Sequence, residues 1–239
     1  MAMATQQQPH YVSFNNKVTP GVAFAVTSPE QVEDMKQMDP PLRHGWTIWE
    51  QIMQTPESKA QYSDATHRIA SFNTVKGFWR YWNHLPQPSE LVDGKKFVRD
   101  TGDTTSVVDA LMVFRNGIKP EWEDPVNASG GHFQFQLKPS LGDGKGGIID
   151  EYWNNIVLGM IGGTLEPADM VTGARLVDKL GQTRAASIRI EVWFSNFEDT
   201  EKVDMLQRNL EKCMSTRLDG TVAKEAPWGK TDRRSHAKK

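Results

Sequence analysis

"DALMVFRNGIKPEWEDPVNASGGHFQFQLK", residues 109 to 138, holds two strand-like runs with a long turn between them. Asp109 to Arg115 is mostly apolar and stops at Asn116-Gly117, a pair that favours tight turns. From Gly131 the chain alternates through Phe133, Phe135 and Leu137, the period-two pattern of a half-exposed strand. These signals predict neighbouring antiparallel strands joined by a loop. That loop is rich in glycine and proline, yet its centre carries Trp122 with Glu121, Glu123 and Asp124 around it.

Working outward, "RHGWTIWEQI" alternates around Trp46, Ile48 and Glu50 and predicts a strand. "NTVKGFWRYWNHL" opens on a capping Asn73 or Thr74 and continues with Val75, Phe78, Trp79 and Trp82 at helical spacing. "IIDEYWNNIVLGMIG" is a second amphipathic helix, with Ile149, Trp153, Ile156, Val157 and Met160 on one face. "ARLVDKL" and "AASIRIEVWFSN" read as a strand pair. "EDTEKVDMLQRNLEKCM" is a third helix, acidic in its first turn, with Val203, Leu206, Leu210 and Cys213 inward. Strands and helices that do not strictly alternate predict an α+β fold, an antiparallel sheet with helices on one face. Residues 1–39 read as a flexible arm, 40–218 as the folded domain and 219–239 as a basic tail. Residues 92–106 read as a polar loop insertion, and 141–147 as a plain loop lacking the order of a phosphate-binding one.

Composition bounds the function. The chain has 239 residues, a net charge of −2 and one cysteine, Cys213, so neither an intramolecular disulfide nor a cysteine metal site is open to it. A protein that grips a long nucleic-acid backbone needs a basic excess, so any such contact here should be short and local. No apolar run is long enough to span a bilayer, and the first residues lack a basic start and an apolar signal core; a cytoplasmic location is expected. Of the six histidines, His44, His67, His84 and His132 share no metal spacing. "NAS" at 127–129 matches a glycosylation sequon and is read as chance. Eight tryptophans are the anomaly.

Trp122 and Glu123 suit one ligand well. Guanine presents two adjacent donors on its Watson–Crick edge, and a carboxylate presents two acceptors at matching separation, a match worth about 1–3 kcal/mol of discrimination. An indole stacks on the purine face for about 1–3 kcal/mol per base. Methylation at N7 makes the base cationic and adds a cation–π contribution of up to about 2 kcal/mol. On the dipeptide alone, an indole packed over the sheet edge beside solvated acids is the commoner arrangement. A complete pocket also needs a second aromatic from elsewhere.

"GWTIWE", "FNTVKGFWRYWNHL", "FRNGIKPEWEDPVNASGG", "EYWNNIVLGMIGG" and "IRIEVWFSN" occur in the order and approximate spacing of the eukaryotic translation initiation factor 4E family, the mRNA cap-binding factors. The resemblance covers about residues 40 to 215. It implies a curved, mostly antiparallel eight-stranded sheet with three helices on the convex face, and a monomer that binds 7-methylguanosine triphosphate with no cofactor or metal. Carried over, it makes Tyr62 and Trp122 the stacking jaws, with tyrosine where most members have tryptophan. Glu123 becomes the guanine reader and Trp193 the contact of the N7-methyl group. Lys179 aligns with a phosphate arginine, Arg184 and Arg189 are further phosphate candidates, and His132 is an accessory. The convex face then docks a Tyr-x-x-x-x-Leu-hydrophobic helix of a scaffold factor 4G-type or 4E-interacting partner on Pro41, Val75, Trp79, Asn154 and Leu158. By periodicity alone, Val75 and Trp79 read as core. Asn154 and Asn155 replace a usual leucine and glutamate. The insertions, at 92–106 and near 180–184, resemble those of divergent protist, trypanosomatid-like members.

Two other functions are weighed. A repressor-type cap binder is suggested by Tyr62 and the altered convex residues. A nucleotide hydrolase would need Glu121, Glu123 and Asp124 as metal ligands, and the glutamate-dense helix or histidine triad of such enzymes is missing from the sequence.

Overall fold

Alternation decides the sheet. In β7 (Ile188–Phe194), Ile188, Ile190, Val192 and Phe194 enter the main apolar core, which leaves Arg189, Glu191 and Trp193 on the other face. The structure is a computed structural model that describes residues 37–54, 62–142, 144–181, 186–217, 220–223, 226 and 228–237. Its other strands are β1 (Pro41–Ile52), β2 (Thr66–Thr74), β3 (Phe97–Asp100), β4 (Thr105–Arg115), β5 (Gly131–Leu137), β6 (Val171–Asp178) and β8 (Asp232–Ser235). They form one antiparallel eight-stranded sheet in the order β2-β1-β4-β6-β7-β5-β8, with β3 paired to β4. The helices are α1 (Val75–Trp82), the short α2 (Pro88–Val92) and α3 (Pro125–Ala128), then α4 (Gly147–Ile161) and α5 (Thr200–Ser215). Phe78, Trp82, Trp153, Ile156, Val157, Val203, Leu206 and Leu210 pack from α1, α4 and α5 onto one face of the sheet. The α+β architecture with three main helices behind a curved sheet is therefore the one observed.

Helix α1 starts where the sequence signal places it. The Thr74 hydroxyl accepts from the Gly77 backbone N–H at 3.1 Å. A Cβ on Gly77 would sit 2.9 Å from that oxygen and 3.2 Å from Phe72 Cβ, so glycine lets the helix leave the strand tightly. Trp82 closes the turn by donating from Nε1 to Asn154 Oδ1 of α4 at 2.7 Å.

Four expectations need correction. β4 and β5 are not neighbours: β6 and β7 lie between them, so residues 116–130 cross the end of two strands. The apolar run of β4 is satisfied on both edges by β1 and β6, a pairing that no local turn signal encodes. β5 is buried on both faces rather than half-exposed, because His132 and Gln134 are covered as well as the phenylalanines. The polar insertion at 92–106 contains β3, whose only buried side chain is Phe97, so pairing by backbone leaves no alternation to read. Arg99 anchors it through a two-pronged contact to Glu50, the shorter arm 2.6 Å. Finally, the described residues of the basic segment 219–239 do not form a tail. Trp228 enters the core against Phe135 and Tyr152, and β8 pairs with β5 through backbone groups.

Candidate functional site

The loop between β4 and β5 is held from within. Asp124 caps α3, its carboxylate accepting from Val126 N at 3.0 Å and from Lys119 N at 2.9 Å. Asn127 is fully buried and donates from Nδ2 to the carbonyls of Lys119 at 2.8 Å and Glu121 at 3.0 Å. Burial of Asn127 also disposes of the sequon, since a glycan acceptor must reach solvent. With these side chains spent on the loop, Trp122 projects outward at 54% exposure and Glu123 has no partner among the described residues.

Trp122 and Glu123 form part of a cavity of about 250 Å³ whose other walls are Tyr62, Pro120, Glu121, Arg175 and Trp193. Tyr62 begins the 3-10 turn before β2 and is brought opposite the loop, its hydroxyl donating to the Pro120 carbonyl at 3.2 Å. The Arg175 guanidinium lies 5.6 Å from the centre of the Tyr62 ring, a cation–π distance. Burial pushes the Tyr62 pKa up, so the phenol stays protonated and able to donate. Trp193 is buried on the cavity floor, edge-on to Phe114 at 5.3 Å. Gly173 makes that packing possible, since a Cβ there would fall 2.4 Å from the Phe114 ring. Thus residues from a 3-10 turn, a long loop, β6 and β7 converge on one slot.

Behind the slot lies a polar layer. His132 stacks on Trp193 at 5.8 Å between ring centres, and its Nδ1 lies 2.9 Å from His236 Nε2. His236 Nδ1 faces the Asn127 carbonyl at 3.0 Å, and the His236 ring stacks on Trp122 at 5.8 Å with planes 15° apart. Burial pulls the His132 pKa down to about 4, so this histidine is neutral near pH 7. It does not line the cavity, and a buried neutral imidazole offers no charge to a phosphate. Its expected accessory role there is not supported by this geometry.

The basic candidates divide. Arg175, which the sequence analysis did not single out, lines the cavity, while Lys179, aligned with a phosphate arginine, follows the end of β6 and does not. Period two along β6 carries Gly173, Arg175 and Val177 on the cavity face, a signal that could have found Arg175. Arg189 Nε makes an ion pair of 2.8 Å with Glu191, which Arg175 Nη1 also approaches at 3.6 Å. Arg184 lies outside the described residues. Cys213 is half-buried, donates to the Asn155 carbonyl at 3.4 Å, and has its thiol pKa pushed up by burial to about 11, so it is no nucleophile. Among the described residues no group of three or more His, Cys, Asp or Glu side chains is arranged to hold a metal ion.

On the convex side, Val75 and Trp79 are 37% and 41% exposed, one turn apart on α1. Their periodicity alone suggested core; Phe78 and Trp82 take that place instead. Pro41 is exposed at the start of β1, beside Pro40, whose carbonyl accepts from Val75 N at 3.0 Å. Leu158 is half-buried on α4. Asn154, one turn earlier, is engaged internally: besides the Trp82 bond it donates to Gln87 Oε1 and to the Asp150 carbonyl, both at 2.8 Å.

Residues 41–225 match the family model for eukaryotic initiation factor 4E. The chain belongs to the eukaryotic initiation factor 4E family. It is 34% identical to the Saccharomyces cerevisiae eukaryotic translation initiation factor 4E over 75% of this chain and 73% of that protein. It is 32% identical to Schizosaccharomyces pombe factor 4E-2 over 70% of this chain, and 33% identical to Oryza sativa factor 4E-1 over 65%. The alignments span 58% and 57% of the length of those two relatives. Among solved structures, Caenorhabditis elegans eIF4E-3 with the 4E-binding protein Mextli and cap analog superposes with a TM-score of 0.57 at 20% identity, over 74% of this chain and 87% of that one. Schistosome eIF4E complexed with m7GpppG and 4E-BP gives 0.58 at 19%, over 74% and 84%. These likenesses establish the 4E fold. β8 and His236 lie beyond the matched residues.

Proposed function

We propose that this chain binds the 7-methylguanosine cap of mRNA and delivers it to the translation initiation machinery, catalysing no reaction itself. The observation that carries this reading is the cavity in which the exposed indole of Trp122, the carboxylate of Glu123, unpartnered among the described residues, and the ring of Tyr62 face one space. The base enters between Trp122 and Tyr62, Glu123 accepts from guanine N1–H and the exocyclic amine, and Trp193 meets the N7-methyl group. Arg175 and Arg189 hold the phosphates, with Lys179 farther along the same hairpin. The unit that does this runs from about residue 40 through β8. The solved C. elegans and schistosome relatives are complexes with cap compounds and with 4E-binding proteins. The same ligand and partner types are assigned to this chain, with the partner helix on Val75, Trp79 and Leu158 and the site of action in the cytoplasm. No helix among the described residues is long and apolar enough to cross a membrane.

Quenching of tryptophan fluorescence tests this directly. 7-Methyl-GTP should bind far more tightly than GTP, and Trp122→Ala should abolish the preference. Glu123→Ala should weaken 7-methyl-GTP by about 1–3 kcal/mol, with Glu121→Ala close to wild type. Equal affinity for the two nucleotides sinks the reading.

A further inference from the structure

Glu191 stands on β7 on the cavity side of the sheet, its side chain 3% exposed. Arg175 and Arg189 flank it, and the Trp193 indole N–H donates to its Oε2 at 3.0 Å. A carboxylate buried this deeply persists as an anion only beside cations. Burial pushes its pKa up, but Arg175, Arg189 and the other polar neighbours more than offset this and hold it below the ordinary value. Of the nearby cations, Arg234 pairs with Asp232 at 2.6 Å, and Lys179 does not line the cavity. His132 is neutral and adds nothing.

Resting on the cap-binding reading above, we propose that Glu191 makes this pocket a reader of the methylated base far more than of the phosphate chain. Two guanidiniums against one carboxylate leave a single positive charge for a ligand whose charge grows with each phosphate. Every added phosphate must also compete with a carboxylate already seated between its donors. Affinity therefore rises little from the mono- to the triphosphate. The charge of Glu191 is separable from its hydrogen bond to Trp193, because Glu191→Gln removes the charge and keeps an acceptor for the indole.

The test is a ladder of dissociation constants for 7-methylguanosine and its mono-, di- and triphosphates, read by fluorescence on the full chain. In the wild type, mono- and triphosphate should differ by no more than about tenfold. Glu191→Gln should widen that ratio by about another tenfold through tighter triphosphate binding, with the phosphate-free nucleoside, itself a cation, bound no more tightly than before. A wild-type ratio beyond about tenfold overturns the proposal, and that arm needs no variant to fold. So does a Glu191→Gln protein that loses triphosphate more than nucleoside, because Glu191 would then be bracing the arginines. Failure of the wild type to distinguish 7-methyl-GTP from GTP overturns the cap reading instead, so the two failures differ.

Discussion

On β7, Ile190 and Val192 face the helices while Glu191 and Trp193 face the cavity, and β5 repeats the division with Phe133 and Phe135 against His132 and Gln134. Both faces are buried here, yet they are held by different physics. The convex face is apolar, so its stability follows area removed from water and close packing. The concave face buries charges and rings whose cost is offset only by specific partners: Glu191 by two arginines, His132 by His236. One face can exchange apolar residues of similar volume; the other depends on which atom meets which. A binding slot needs the second kind of surface, because discrimination of a ligand comes from placed donors and acceptors rather than from area.

Deleting packing should give the largest effect. Phe133→Ala, on the convex side of β5, should cost about 3–5 kcal/mol of stability, measured as a shift in the denaturant midpoint. Acid should separate the faces next. His132 titrates near 4 in the fold against an ordinary 6.5, so below pH 6.5 the unfolded chain takes up a proton that the native state refuses. The stability due to His132 neutrality is thus complete above pH 6.5 and lost as pH falls toward 4, by at most about 1.4 kcal/mol per pH unit. His132→Gln should flatten that slope, and a slope unchanged by the substitution would place the acid sensitivity elsewhere. The smallest stability effect belongs to the exposed convex stripe. Trp79→Ala loses an edge contact with Phe78 at 4.8 Å, about 0.5–1.5 kcal/mol, while cap binding stays intact and capture of a Tyr-x-x-x-x-Leu peptide disappears. If Trp79→Ala weakens cap binding as strongly as peptide capture, the two surfaces are not independent.

Much of this was legible in the residues. β1, β4, β5, β6 and β7 alternate or run apolar, and the three main helices keep their period, because each buries a continuous stripe. Trp122 and Glu123 stood out as an indole beside an acid on a turn. β3 and β8 were not legible, since "FVRD" and "DRRS" pair through backbone atoms and show little or no buried face. Arg175 was passed over in favour of Lys179, because an inserted stretch between β6 and β7 blurred the alignment while the simple parity of the strand was left unused.

The sequence by itself therefore determined the α+β class, the main elements, the family and half of the slot, because periodicity and a distinctive loop are local properties. Only the tertiary structure decided that β4 and β5 stand apart, that the basic C-terminal segment becomes a strand placing His236 on Trp122, and that Arg175 and Arg189 share one buried carboxylate. Strand order, ring stacking and ion pairing join residues far apart along the chain. Their energies depend on distance in space, which no local pattern of side chains records.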